Sequence, residues 1–475
     1  MSRGSTGDAS GPPALPYAQR NYVLAVINGA MGNLSDSFLN PQLILAAFLY
    51  LLTHSKALVG LLMIVETAGQ MWPQLFVSRY IEHWPRKQPF YIGATSLRIA
   101  GLLTLMASMW LMGDSVHRGL PLPSWTLWLF FLGRFMHRSG DGATLLVFLD
   151  IVGQSIDERR RGRLFASRGF FGDALAMAAG PMLVQPILRH FTAPSNYLLL
   201  SAIGAAILVF GWTIFCFIRE RPNENPIQER TFKEVLADGV DLLRSDPMYR
   251  RLLVYRMLVR VATLTLAFYV PFGTDLLGAA GLGGLFVGLL GAARLVSAPI
   301  WGHVCDRFGS KVCLTGASLG YMAAPILALV SVHLPGVFSI PLPWGHVTLT
   351  LRLAVFLLAL VVFGLGQRAD FIADSSFLLE HAPADRRCSY QAFLSLVTFP
   401  MTLLPGLAGW LADQPWCGLE RLFAAITLVC VGMLLASSRL WAVPAEAKAA
   451  TIAEPCPQCQ APAEQARVDA DARGQ

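Results

Sequence analysis

Charged side chains interrupt several apolar stretches of this sequence, and their spacing gathers them onto single faces. Arg134, Arg138 and Asp141 stand at i, i+4 and i+7, and Arg256 and Arg260 stand at i, i+4. Gln367, Asp370 and Asp374 stand at i, i+3 and i+7, with Arg368 beside the first. On an α-helix each set forms one polar stripe. Glu66 and Gln70 are again four apart, Arg294 is alone in its apolar run, and Asp36 lies in Gly32-Asn33-Leu34-Ser35-Asp36-Ser37, ahead of Asn40-Pro41. All the cations in these runs are arginine, whose planar fork pairs bidentately with carboxylate or phosphate. The chemistry open to them is recognition of an acidic small molecule or ion pairing between helices. A carboxylate in a low-dielectric site beside a movable cation can load and release a proton, which makes Asp36, Glu66 and Asp141 proton-carrier candidates, and Asp173 and His137 further titratable groups. The polar interruption from Gly32 to Ser37, followed by Asn40-Pro41, is expected to form a kinked stretch of the first helix that exposes backbone and side-chain groups to a bound solute.

The elements that hold these residues must be membrane helices. Of 475 residues 54% are hydrophobic and 14% charged, against roughly 25% charged in a soluble protein. Apolar windows of spanning length fall near 22–52, 57–77, 89–112, 124–152, 164–188, 196–218, 252–277, 282–304, 312–333, 349–376, 390–411 and 421–441. The spacing therefore predicts an all-α integral membrane protein with twelve transmembrane helices. The long polar insert 219–251, with an amphipathic stretch from Phe232 to Leu243 for the membrane surface, divides it into six-helix bundles at 21–218 and 252–441. Tails at 1–20 and 442–475 are expected to be disordered.

Lysine and arginine in the connecting loops set the orientation. With both termini cytoplasmic, 24 of the 37 basic residues fall on the inner side and five, namely Lys56, Arg118, Arg189, Arg352 and Arg421, on the outer side. The first 20 residues have no apolar core, so the first helix is expected to serve as its own insertion signal. The net charge of +7 is spread over many short loops, which argues against a nucleic-acid partner. The eight cysteines lie mostly singly, and Cys456-Pro457-Gln458-Cys459 in the tail lacks two further ligands for a structural metal. No Walker-type phosphate loop occurs. Neither an enzyme nor a metal or other cofactor is expected.

An internal repeat supports the division. Val59-Gly60-Leu61-Leu62 matches Val287-Gly288-Leu289-Leu290 at an offset of 228, which also sets Arg79 on Arg307; Arg160-Arg161 matches Arg386-Arg387 at an offset of 226. Glu66 and Arg294 take related places in the two halves. Between the eighth and ninth windows runs Gly302-His303-Val304-Cys305-Asp306-Arg307-Phe308-Gly309-Ser310-Lys311.

On these residues the chain resembles the major facilitator superfamily over 20–441. The ten-residue string matches that family's inner-loop motif, Gly-x-x-x-Asp-Arg-x-Gly-x-(Arg/Lys), at every defined position. In the first half Gln74 and Ser78 replace the first glycine and the aspartate, and only Arg79 is kept. Arg134 to Ala143 is similar to the family's Arg-x-x-x-Gly-x-Gly-Ala pattern with altered spacing, and Gly180-Pro181 is similar to the Gly-Pro element of drug/proton antiporters. The resemblance implies two pseudo-symmetric bundles, a central cavity lined by helices one, four, seven and ten, and alternating access.

The expected function is secondary active transport of a small solute, proton-coupled, with a lean toward an organic anion or polar metabolite, by a monomer in the plasma or inner membrane. Export of hydrophobic compounds by drug/proton antiport and a non-transporting receptor or assembly factor are the alternatives. Substrate or proton contacts are expected from Asn33, Asp36, Glu66, Gln70, Arg134, Arg138, Asp141, Arg260, Gln367 and Arg368. Gating and ion pairing are expected from Arg79, Arg256, Arg294, Gly302, Asp306, Arg307, Gly309, Lys311, Asp370 and Asp374.

Overall fold

A computed structural model describes residues 17–81, 86–156, 158–220, 240–241, 243–279, 281–336, 339–341, 348–381, 393–394 and 396–440. The amphipathic stretch up to 239, Arg386, Arg387, Cys456 and Cys459 lie outside these residues, as do the side chains of Arg79, Arg159 and Arg161.

The regular structure of the described residues is helical, apart from one hairpin in which Ser339–Pro341 pairs antiparallel with Thr348–Thr350. The first eight helices are α1 (Ala18–Leu39), α2 (Ala46–Thr53), α3 (Lys56–Ile81), α4 (Gln88–His117), α5 (Ser124–Ser155), α6 (Glu158–Ala179), α7 (Gln185–His190) and α8 (Ser195–Cys216). After the central insert come α9 (Pro247–Ala262), α10 (Thr265–Leu277), α11 (Gly283–Phe308), α12 (Ser310–His333), α13 (Leu351–His381), α14 (Leu404–Asp413) and α15 (Gly418–Ser438).

Ten stretches are long and apolar enough to cross a membrane, several of them formed by two helices in line. The long helices not among the ten are α3 and α5, of 26 and 32 residues. Their polar content is the physical reason: α3 carries Glu66 and Gln70, and α5 carries Arg134, Arg138 and Asp141.

One expectation needs correction. Helix α1 runs unbroken through Asn33 and Asp36, and the interruption comes at Asn40. There Pro41 has no N–H to continue the ladder, and the Asn40 side chain accepts from the amides of Gln42 (3.0 Å) and Leu43 (2.9 Å), capping a π-turn over Pro41–Leu45. The chain then re-enters helix at α2 in the same span.

Helices before the insert pack mainly on one another, α1 on α6 and α8, and α5 on α3 and α4. Those after it do the same, α13 on α11 and α12, and α15 on α9 and α12. Two seams join the sets, α3 against α14 and α6 against α11. Glycine makes both possible. A Cβ on Gly60 would stand 2.1 Å from the Pro405 carbonyl oxygen, and one on Gly180 2.5 Å from that of Gly284.

Among the described residues, several polar contacts across the sets gather at one end of the bundle. Asp413 accepts from the Lys56 amide (3.0 Å), the Ala57 amide (2.8 Å) and the Ser55 hydroxyl (3.1 Å), so a residue ending α14 caps the start of α3. Lys56 also pairs with Asp275 at 3.3 Å, and the Tyr50 hydroxyl donates to Asp275 at 2.5 Å. Gln185 donates to the Gly281 carbonyl at 2.8 Å and accepts from the Leu285 amide at 3.2 Å. That end is tied shut.

Candidate functional site

Behind the tied end lies a cavity of about 360 Å³, reached by α1, α3, α5, α9, α11 and α13. Asp36 and Asn40 line it from α1 and its end, Glu66 from α3, Arg134, His137 and Arg138 from α5, Arg260 from α9, Arg294 from α11 and Gln367 from α13. A second cavity of about 300 Å³ shares Arg260, Thr263 and Gln367 and adds Arg256, Asp370 and Asp374. Asn33 borders a smaller space of about 30 Å³ together with Asp36 and Arg294, its side chain laid against Gly172 of α6.

Charges in this region fall into three groups. In the first, Glu66 receives Arg134 at 2.5 Å and Arg138 at 3.1 Å, on different carboxylate oxygens. Arg138 continues to Asp141 (2.8 Å) and to the Gln70 side-chain oxygen (2.8 Å), and the Gln70 amide donates to Asp141 at 3.2 Å. Asp141 also receives Arg98 at 2.6 Å, whose guanidinium lies over the Trp212 ring at 4.1 Å. Three guanidiniums thus share two carboxylates across α3, α4 and α5. A buried ion pair of this kind is costly to break from one side.

In the second group Arg256 of α9 pairs with Asp370 at 2.9 Å and with Asp374, both on α13. The third crosses a seam. Asp173 of α6, 4% exposed, receives Arg368 of α13 and, at 3.5 Å, Arg294 of α11. Arg368 further donates to the Arg294 carbonyl oxygen at 3.2 Å. One carboxylate from before the insert therefore holds two arginines from after it.

Asp36 and Arg260 are different. Both are exposed although they lie within membrane-length helices, because both face the cavity. Neither forms an ion pair with any described residue.

The ten-residue motif spans the end of α11 and the start of α12, away from the tied end. Gly309 takes φ +84°, a left-handed value that glycine adopts without strain, and Gly302 has open space where a Cβ would stand. Asp306 and Arg307 are exposed, Lys311 is half-buried, and Asp306 makes no ion pair with any described residue. Ser318 sits in Gly316-Ala317-Ser318-Leu319-Gly320, formally a Gly-x-Ser-x-Gly string. It is buried inside α12 and donates to the Leu314 carbonyl oxygen at 2.8 Å, whereas a nucleophile elbow needs a strand-to-helix turn.

Sequence reasoning left two participants out of the site. Asp173 was visible as a lone acid in an apolar helix, but nothing local shows that its partners come from 121 and 195 residues downstream. Arg98 was visible as a cation inside the third window; its partner Asp141 is again on another helix.

The Major Facilitator Superfamily profile matches residues 25–354. Magnetosome protein MamH of Paramagnetospirillum magneticum (strain ATCC 700264 / AMB-1) is 22% identical over 329 residues, covering 66% of this chain and 67% of that protein. Among solved structures, a bacterial homologue of the iron transporter ferroportin in its inward-facing state superposes with a TM-score of 0.67 at 14% identity, covering 89% of this chain and 98% of that one. The nucleoside transporter NupG gives a TM-score of 0.58 at 11% identity, covering 88% and 98%. A profile match across more than half the chain, an all-helical fold shared with transporters and ten membrane-length apolar stretches agree: this chain is a transporter-type, multi-pass membrane protein that belongs to the major facilitator superfamily.

Proposed function

We propose that this protein is a secondary active transporter that carries a small organic anion or other polar metabolite by alternating access. The observation that carries the reading is the charged cavity between the two sets of helices, closed at the end where Asp413, Lys56 and Asp275 meet. Counting α3 and α5 with the ten apolar stretches gives twelve spans, six on each side of the central insert, with both termini cytoplasmic by the distribution of basic residues. The tied end is then the outer one, and the cavity is poised to open inward. Asp306, Arg307 and Lys311 belong to the inner face, where they would latch the opposite state; Arg79 is their counterpart in the first half. A proton gradient supplies the drive, with Asp36 the carrier best placed because it faces the cavity without an ion-pair partner among the described residues. The plasma or inner membrane is the site of action, and one chain holds the whole cavity, so a monomer suffices.

Export of hydrophobic compounds fits less well, because four arginines line the cavity and desolvating them against an apolar cargo is unfavourable. The test is accumulation. Proteoliposomes holding the full chain, incubated with a mixture of polar metabolites under an imposed pH gradient, should concentrate at least one acidic compound several-fold, as read by mass spectrometry of the lumen. Accumulation should collapse when a protonophore removes the gradient. Binding without accumulation would make the protein a receptor and overturn the transport reading.

A further inference from the structure

We infer that the molecule received by the central cavity is amphoteric, carrying a primary amine as well as a carboxylate or phosphate. This rests on the reading of that cavity as the cargo site. Asp36 and Arg260 are opposite charges on the wall of one cavity, both exposed to it, and neither is in an ion pair with a described residue. Their surroundings keep them apart. The cations acting on Asp36 are Arg138, Arg294 and Arg134; Arg138 is held by Glu66 and Asp141, Arg134 is held by Glu66, and Arg294 is turned toward Asp173. The acids acting on Arg260 are Asp370 and Asp374, both held by Arg256. The cavity therefore offers one unsatisfied anion and one unsatisfied cation at separate places.

Two further atoms fit that pattern. The Gln367 side-chain oxygen is buried without a hydrogen-bond partner and calls for a donor. The Arg294 Nε is buried without one and calls for an acceptor, its 3.5 Å to Asp173 being beyond a good hydrogen bond. A cargo with only an acidic group would satisfy Arg260 and Arg294 and leave Asp36 and Gln367 facing it with acceptors. A cargo with only an amine would do the reverse. An amine joined to an acid answers all four, and charge-assisted hydrogen bonds of this type are the strong ones. A volume of about 360 Å³ suits a small metabolite.

Two matched probe sets on the purified full chain test this, one for each acid. The first is 5-aminovalerate with pentanoate and pentylamine; the second is O-phosphoethanolamine with ethyl phosphate and ethanolamine. In titration calorimetry at least one amphoteric probe should bind about tenfold more tightly than both of its single-charge relatives, and which set shows it tells carboxylate from phosphate. In Asp36→Asn the amine should lose its advantage, the amphoteric probe then binding no more tightly than its acid-only relative, with unchanged thermal unfolding of the unliganded protein certifying the fold. No binding by any of the six, or equal binding within both sets, overturns the inference, and so does an amine advantage that survives Asp36→Asn. Amphoteric binding without accumulation in proteoliposomes would sink the transport reading alone. Accumulation of a compound that lacks an amine would sink this inference and leave transport standing.

Discussion

Replacing Glu66 with Gln is expected to destabilise the protein by about 3–5 kcal/mol, the range found when one partner of a buried ion pair is removed. Glu66 is 6% exposed and Arg134 is 3% exposed, so neither can turn to water when its partner is lost. Both carboxylate oxygens are used, one on Arg134 at 2.5 Å and the other on Arg138 at 3.1 Å. The variant keeps the shape and one acceptor oxygen but removes the charge, leaving Arg98 and Arg138 on Asp141 and Arg134 with no carboxylate among the described residues. Thermal and denaturant unfolding of the detergent-solubilised protein would read the loss. Adding Arg134→Met to Glu66→Gln should recover a large part of it, because deleting both partners removes the stranded charge. A single variant that unfolds within about 1 kcal/mol of the parent, as an exposed pair would, would show that the network is not dry.

Replacing Asp173 with Asn is expected to behave oppositely, with a small effect on stability and a large one on transport. Asp173 holds Arg294 and Arg368 across a seam, not within either set of helices. Each set keeps its own packing when the bridge is gone, so the cost falls on the tied arrangement relative to any other. A change of about 2 kcal/mol in that balance moves the population of the two arrangements roughly thirtyfold, and transport that must pass through both should fall at least tenfold. The measurement is uptake rate beside unfolding temperature for Asp173→Asn and Asp173→Glu, the second of which should restore part of the rate. Wild-type uptake in Asp173→Asn would remove the bridge from the transport cycle.

Much of the fold is legible in the sequence because the bilayer leaves so few solutions. A helix satisfies its own backbone, so apolar runs near 20 residues announce spans. Arginines at i, i+4 announce a polar face, and the polar insert at 219–251 marks where the packing of the helices divides. Four of the helices that supply the cavity, α1, α5, α9 and α13, also followed from the resemblance on the 302–311 string, whereas α3 and α11, which bring Glu66 and Arg294, did not. What the residues could not show is pairing at a distance. Arg134 and Asp141 share a stripe on α5, yet one looks to Glu66 on α3 and the other to Arg98 on α4. The kink is instructive in the same way. Asn33 and Asp36 look like helix breakers, but a polar side chain inside a helix needs only a cavity to face, whereas Pro41 removes a backbone donor and Asn40 supplies the cap that replaces it. The tie between Asp413 and the start of α3 joins residues 356 and 357 positions apart, out of reach of any local pattern.

On the proposed function, the charged residues surround a water-filled chamber open to one face of the membrane at a time. A cysteine at Thr263, which lines both larger cavities, tests it directly. Thr263→Cys protein in right-side-out and inside-out vesicles would be exposed to a membrane-impermeant maleimide, with modification of that peptide followed by mass spectrometry so that the native cysteines do not interfere. Without cargo, labelling should proceed at least tenfold faster from the cytoplasmic face than from the face closed by Lys56, Asp275 and Asp413. Equal rates from both faces would describe a pore, and no labelling from either would mean that the charges are sealed in protein; each result contradicts the account.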